Sequence, residues 1–131
     1  MRSRMLHATL VMTAAAAIAL PVASAAKTVI SGTAAYRERV APGAVFDAEL
    51  REIHRPGTPG EVIARTHIGT PGPSPIAFTI PYHRRQIRPG WIYVVRATLR
   101  AGGRLRFAGH DAPVLTHGHG NRVAILLEPV R

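Results

Sequence analysis

The stretch Trp91-Ile92-Tyr93-Val94-Val95-Arg96-Ala97-Thr98-Leu99-Arg100-Ala101-Gly102-Gly103-Arg104-Leu105-Arg106-Phe107 decides the fold class. From Trp91 to Ala101, every second residue is apolar: Trp91, Tyr93, Val95, Ala97 and Leu99. The intervening positions become charged at Arg96 and Arg100. A period of two places those five residues on one face of a half-buried β-strand. Gly102-Gly103 then supplies residues that tolerate positive φ, and a second alternating run, Arg104 to His110, buries Leu105 and Phe107. The pattern is a β-hairpin. A three-residue loop, Ala101-Gly102-Gly103, keeps the faces matched: Arg100 opposite Arg104, Leu99 opposite Leu105, Thr98 opposite Arg106, Ala97 opposite Phe107. A two-residue Gly102-Gly103 turn would set Arg100 against Leu105 and mix the faces, so the three-residue register is expected. It carries a cost, because Arg100 and Arg104 would then repel each other across the pair.

Outward from this hairpin the chain is punctuated at short intervals by Pro42-Gly43, Pro56-Gly57, Pro59-Gly60, Pro71-Gly72, Pro89-Gly90 and the run Gly118 to Gly120. The segments between read as further strands. Thr28 to Arg37 is the first. Val45 to Ile53 turns Phe46, Ala48 and Leu50 inward and Asp47, Glu49 and Arg51 outward. Glu61 to Ile68 buries Val62, Ala64 and Ile68, and Pro75 to Tyr82 buries Ile76, Phe78 and Ile80. Arg122 to Val130 closes the domain with Val123, Ile125 and Leu127 inward. No segment past the N-terminus sustains a 3.6-residue period, and no repeat or linker divides the chain. The expectation is an all-β fold: one small antiparallel β-sandwich or barrel of about seven strands.

The N-terminus reads differently. Arg2 and Arg4 precede an apolar run, Leu10 to Leu20, that Pro21 ends, and Ala23-Ser24-Ala25 follows as an A-x-A signal. This is the pattern of a secretory signal peptide over residues 1–25, cut near Ala25 or Ala26, with the domain at 27–131. This eleven-residue run falls short of the roughly 20 residues that a membrane-spanning helix needs. The chain has no cysteine, which excludes disulfides, a thiol nucleophile, thiolate metal ligands and a lipid attached through cysteine. The expected location is therefore the periplasm, in soluble form, with neither a transmembrane nor a lipid anchor. Without Arg2 and Arg4 the 17 Lys and Arg become 15 against 7 acids, net +8, and 14 of the 15 are Arg. Such a field favours anionic partners. For an exported protein these are acidic lipid, glycan or a protein surface rather than nucleic acid. Genome composition and solubility supply a competing explanation for part of the excess.

The residues that could carry chemistry are few. Gly109-His110-Asp111-Ala112-Pro113-Val114-Leu115-Thr116-His117-Gly118-His119-Gly120 gathers three histidines and an aspartate. His110, His117 and His119 are the metal candidates. Gly118 and Gly120 flank the His-x-His pair, however, and Pro113 intervenes, so a histidine-rich polar turn is the preferred reading over a tetrahedral site. Ser31 and Ser74 lack a nucleophile-elbow context, the seven acids are scattered, and no Gly-rich loop with a lysine occurs. The chain reads as a non-enzyme without a cofactor. Two basic clusters are binding candidates: Arg96, Arg100, Arg104 and Arg106 on the hairpin's exposed face, and the loop His83-Arg84-Arg85-Gln86-Ile87-Arg88 between two strands, with His83, Arg84, Arg85 and Arg88 as its contacts. The alternative for that loop is a solvated crossover with Ile87 as its one buried anchor.

The order of these pieces resembles a known family. Val29-Ile30-Ser31-Gly32-Thr33, then Tyr36-Arg37-Glu38-Arg39, is similar to the opening of the YbaY/YscW-like lipoproteins, as is Pro42-Gly43-Ala44-Val45. Pro75-Ile76-Ala77-Phe78, Pro81-Tyr82 and Ile87-x-Pro89 are similar to that family's PIPFxLPYDPxxIDP region. Tyr93-x-Val95-Arg96-Ala97 resembles its YxVRA strand, and Pro113-Val114-Leu115-Thr116 its PVLT segment. The likeness runs from about Val29 to Val130. It implies a small envelope β-domain whose better-understood branch resembles pilotins, which help secretin subunits reach the outer membrane. Two departures stand out. The lipid-bearing cysteine of the family is missing, which weighs against pilotin-type delivery. Its acidic loop becomes His83-Arg84-Arg85 and Arg88, which inverts the charge a partner would meet. The His-x-His pair is a local addition. The resulting expectation is an interaction or chaperone-like module for an envelope protein, secretin-like or another outer-membrane subunit. The alternative is a binder of anionic lipid or glycan through the arginine face, and the third reading is a metal carrier using His110, His117 and His119.

Overall fold

A strand alternating apolar and polar residues hides one face only if other strands bring theirs to it. The computed structural model, which describes residues 27–40, 42–55 and 60–131, shows how this is done. The signal-peptide reading lies outside the described residues. Eight strands form: β1 Lys27–Ala35, β2 Val45–Ile53, β3 Glu61–Gly69, β4 Ile76–His83, β5 Ile92–Ala101, β6 Arg104–Gly109, β7 Ala112–Val114 and β8 Arg122–Pro129. A single 3-10 turn, Arg84–Gln86, follows β4. The hydrogen-bonded order is β3-β2-β5-β6-β8-β1-β4, with the short β7 paired to β5.

β8 joins two sheets. Its first half, Arg122 to Leu126, runs parallel to Ser31–Ala35 of β1. Its last residues, Leu127 to Pro129, run antiparallel to Phe107–Gly109 of β6. Every other pair is antiparallel. The two ends of the path, β3 and β4, meet without a ladder. The hydroxyl of Thr66 donates to the carbonyl of Thr79 across this seam, and Gln86 Nε2 donates to the Ile63 carbonyl at 3.3 Å. The result is a nearly closed, barrel-like sheet.

The inward alternation is realised on β2, β4 and β5. Phe46, Ala48 and Leu50 meet Ile76, Phe78 and Ile80 and the β5 set Tyr93, Val95, Ala97 and Leu99, with Ile125 and Leu127 from β8. The rings of Phe46 and Phe78 pack with centroids 5.2 Å apart, tilted 45°. Burying each such side chain contributes about 1.5–3 kcal/mol before entropy is counted, and without disulfides this core carries the domain.

Three expectations are corrected. The hairpin uses the two-residue turn: Ala101 pairs with Arg104 and Arg100 with Leu105. Gly102 and Gly103 both have positive φ, 59° and 75°, the condition of a tight turn whose twist suits paired strands. The face mismatch that argued against this turn is removed by a β-bulge between Leu99 and Arg100, which lets Arg106 bulge and sets Leu99 opposite Phe107. A second bulge, between Leu50 and Arg51, puts Val62 opposite Arg51. Ile63, rather than Val62, therefore packs against the core beside Ala64 and Ile68. β5 begins at Ile92, so Trp91 lies just outside the strand, although it packs against the core as expected.

Candidate binding surface

The bulge breaks up the proposed arginine ribbon. Arg96 is paired: its Nε and Nη2 donate to Asp111 Oδ1 and Oδ2 at 2.8 and 2.9 Å. The hydrogen bond to Asp111 raises the guanidinium pKa above its ordinary value. Partial burial opposes this, and the charges of Asp111 and Glu49 add to it. Arg100 stays exposed on the outer face opposite Leu105. Arg104, opposite the buried Ala101, takes the other face, so it does not confront Arg100. Arg106 occupies the bulge, and its carbonyl accepts a bond from the Val130 amide at 2.9 Å.

The loop His83 to Arg88 is built onto the barrel rather than hanging from it. Gln86 accepts from the His83 amide at 3.1 Å and closes the 3-10 turn. The buried Tyr93 side chain reaches up from β5 (1% exposed). Its hydroxyl accepts from the Arg88 amide at 2.7 Å and donates to the Gln86 carbonyl at 3.3 Å. Ile87 packs on the core as expected, and Arg88 lies 4.6 Å above the Trp91 ring, a cation–π contact. His83, Arg84 and Arg85 are exposed.

The histidine-rich segment does not converge. His110 faces Glu128 at 3.6 Å, Asp111 is taken by Arg96, His117 Nε2 lies 3.0 Å from the Gly90 carbonyl, and His119 is exposed. Among the described residues these imidazoles do not form a ligand group. Part of the segment is instead β7, whose Val114 sits in the core opposite Tyr93.

A surface that sequence reading missed lies at the barrel end away from the His83 loop. Two adjoining hollows, about 190 and 300 Å³, are lined by Arg37, Glu38, Arg39, Val40, Arg106, Phe107, Leu126, Leu127, Glu128, Pro129 and Val130. Tyr36 packs on Phe107 at their base, centroids 5.7 Å apart. Leu126 and Val130 are exposed by 46% and 41%. The floor is apolar at Phe107, Leu127 and Pro129, and the rim carries both signs of charge, Arg37, Arg39 and Arg106 beside Glu38 and Glu128, which suits a segment with apolar and mixed polar side chains. Leu126, a large apolar residue at an outward strand position, was the available signal.

The family model for the type III secretion system lipoprotein chaperone (YscW) matches residues 25–127. The chain belongs to the YscW family. Among solved structures, an alternative pilotin from the type II secretion system of Vibrio cholerae is similar at a TM-score of 0.73 and 29% identity, over 79% of this chain and 97% of that one. No curated protein matches the chain. The YscW assignment agrees with the β-barrel-like architecture. No helix among the described residues of this YscW-family chain is long and apolar enough to cross a membrane.

Proposed function

We propose that this protein is a non-enzymatic, pilotin-like interaction module of the cell envelope, acting in the periplasm on a secretin-like outer-membrane subunit. The observation that carries the reading is its membership of a secretion chaperone family, joined to the likeness to a pilotin over almost the whole of that pilotin's length. The surface offered to the partner is the Arg37–Arg39–Arg106 groove with its exposed Leu126 and Val130. With three arginines against Glu38 and Glu128 on its rim, it suits an apolar segment with a slight excess of acidic side chains docking beside β6 and β8. The alternative partner, anionic lipid or glycan, keeps less support, because Arg96 is already bound to Asp111 and Arg104 turns away from Arg100.

The test is affinity capture from the native envelope after crosslinking, with the tagged protein and its Arg106→Glu variant side by side. Enrichment of a secretin-like subunit, reduced by the charge reversal, supports the proposal. Recovery of acidic lipid or glycan without protein, falling steeply with salt as exposed charges are screened, overturns it in favour of the alternative.

A further inference from the structure

The bulge in β3 does more than shift the core set. Without it, Glu61 would point to the opposite face from Glu52. With it, the two are direct cross-strand partners. Bulges commonly re-aim a side chain in this way. Gly60, at φ 69°, makes the approach feasible: a Cβ there would overlap the Glu52 carbonyl and come within 2.8 Å of Ile53 Cδ1. His54 lies two residues beyond Glu52, near the same barrel mouth. The ligand atoms of Glu52, His54 and Glu61 all fall within 4.8 Å of one another.

Two like charges directly opposite across a strand pair destabilise it. The Glu52 side chain is, besides, nine-tenths buried, with 10% of its surface exposed. Its Oε1 is fully shielded and has no hydrogen-bond partner among the described residues. His54 Nε2 approaches that oxygen to 3.2 Å without hydrogen-bond alignment. That spacing is informative. Two ligands about 2.0–2.1 Å from one tetrahedral zinc ion lie roughly 3.3 Å apart. The imidazole is fixed from outside by Trp91, which meets it edge-on at 4.9 Å. Glu61 is exposed and can close on the same point by a rotamer change.

We infer that Glu52, His54 and Glu61 form a binding site for a divalent transition-metal ion of the zinc class. One imidazole and two carboxylates suit such an ion. Three protein ligands leave a fourth position open to solvent beside the half-exposed His54. The ion neutralises the Glu52–Glu61 pair and ties the β2–β3 hairpin at the mouth of the barrel. The site is separate from the groove proposed for the protein partner, and His117 is not among its ligands.

The test is calorimetric titration of the purified, chelator-stripped protein with zinc chloride, alongside melting curves with and without zinc. The expected result is one zinc per chain and a raised melting temperature. Affinity should fall at least about tenfold in both His54→Ala and Glu61→Gln and stay unchanged in His117→Ala. His54 and Glu61 are exposed, so both metal-free variants should fold; Glu61→Gln, freed of the repulsion from Glu52, should melt at or slightly above the metal-free parent. Substitution of cobalt for zinc should give visible absorption that the same two variants lose. Absence of zinc binding by the parent overturns the inference, as does parental affinity in both ligand variants, or loss of binding in His117→Ala.

Discussion

Removing one oxygen atom tests how the His83 to Arg88 loop is held. In Tyr93→Phe the ring stays in the core, where the residue is 1% exposed, and its packing is retained. What disappears is the hydroxyl that accepts from the Arg88 amide at 2.7 Å and donates to the Gln86 carbonyl at 3.3 Å. The second bond is long, and its carbonyl belongs to an exposed residue that water can serve. The first is short and part-buried, and it leaves a backbone N–H without its partner. An unmet buried donor costs about 1–3 kcal/mol. Partial access of water to Arg88 places the expected loss near 1–2 kcal/mol. For a domain of this size that is a drop in Tm of about 5–10 °C, read by circular dichroism, with the urea midpoint falling and the m-value unchanged. The fall should appear together with faster exchange of the Arg88 amide. A variant melting within about 1 °C of the parent, with that amide still protected, would refute the reasoning and leave Ile87 as the loop's anchor.

Two further substitutions probe the backbone. Gly103→Ala places a side chain at φ 75° in the hairpin turn. It should lower stability by about 1 kcal/mol in urea unfolding, whereas the three-residue loop would have tolerated it at one glycine. Gly32→Ala should cost about 1–3 kcal/mol by overpacking, because the new methyl would sit 2.8 Å from Val123 Cγ2 and overlap the Phe78 ring. A thermal midpoint equal to the parent's would show that the Phe78 ring yields without strain.

Most strands were legible from alternation because one face of each is hidden. Phe46, Ala48 and Leu50 on β2 and Ile76, Phe78 and Ile80 on β4 are buried as their period demanded. The hairpin register was not legible, because matching faces and a tight turn made opposite demands. A bulge at Arg106 satisfies both, and nothing in the local composition announces an extra residue. Val62 failed for the same reason on β3. Of the candidate sites, the His83 loop was found where loops are expected, and Ile87 anchors it. The histidines that lie close in sequence do not converge in space, because His110 and His117 are held by different neighbours and Asp111 pairs with Arg96 of β5. Glu52 escaped notice because an inward glutamate ends an otherwise apolar face, and only the pairing with Glu61 gives it meaning.

The parallel contact between β1 and β8 has a consequence for how the chain comes to be folded. Ser31 and Arg122 are neighbours, so a strand made near the start waits for one made near the end. Until residues 122–126 emerge, β1 has β4 alone beside it, and the two sheets share no strand. Contacts of such long sequence separation slow folding, to milliseconds or seconds in β proteins. The two sheets are therefore joined only when synthesis is nearly over, and the last strand is the latch that closes the barrel.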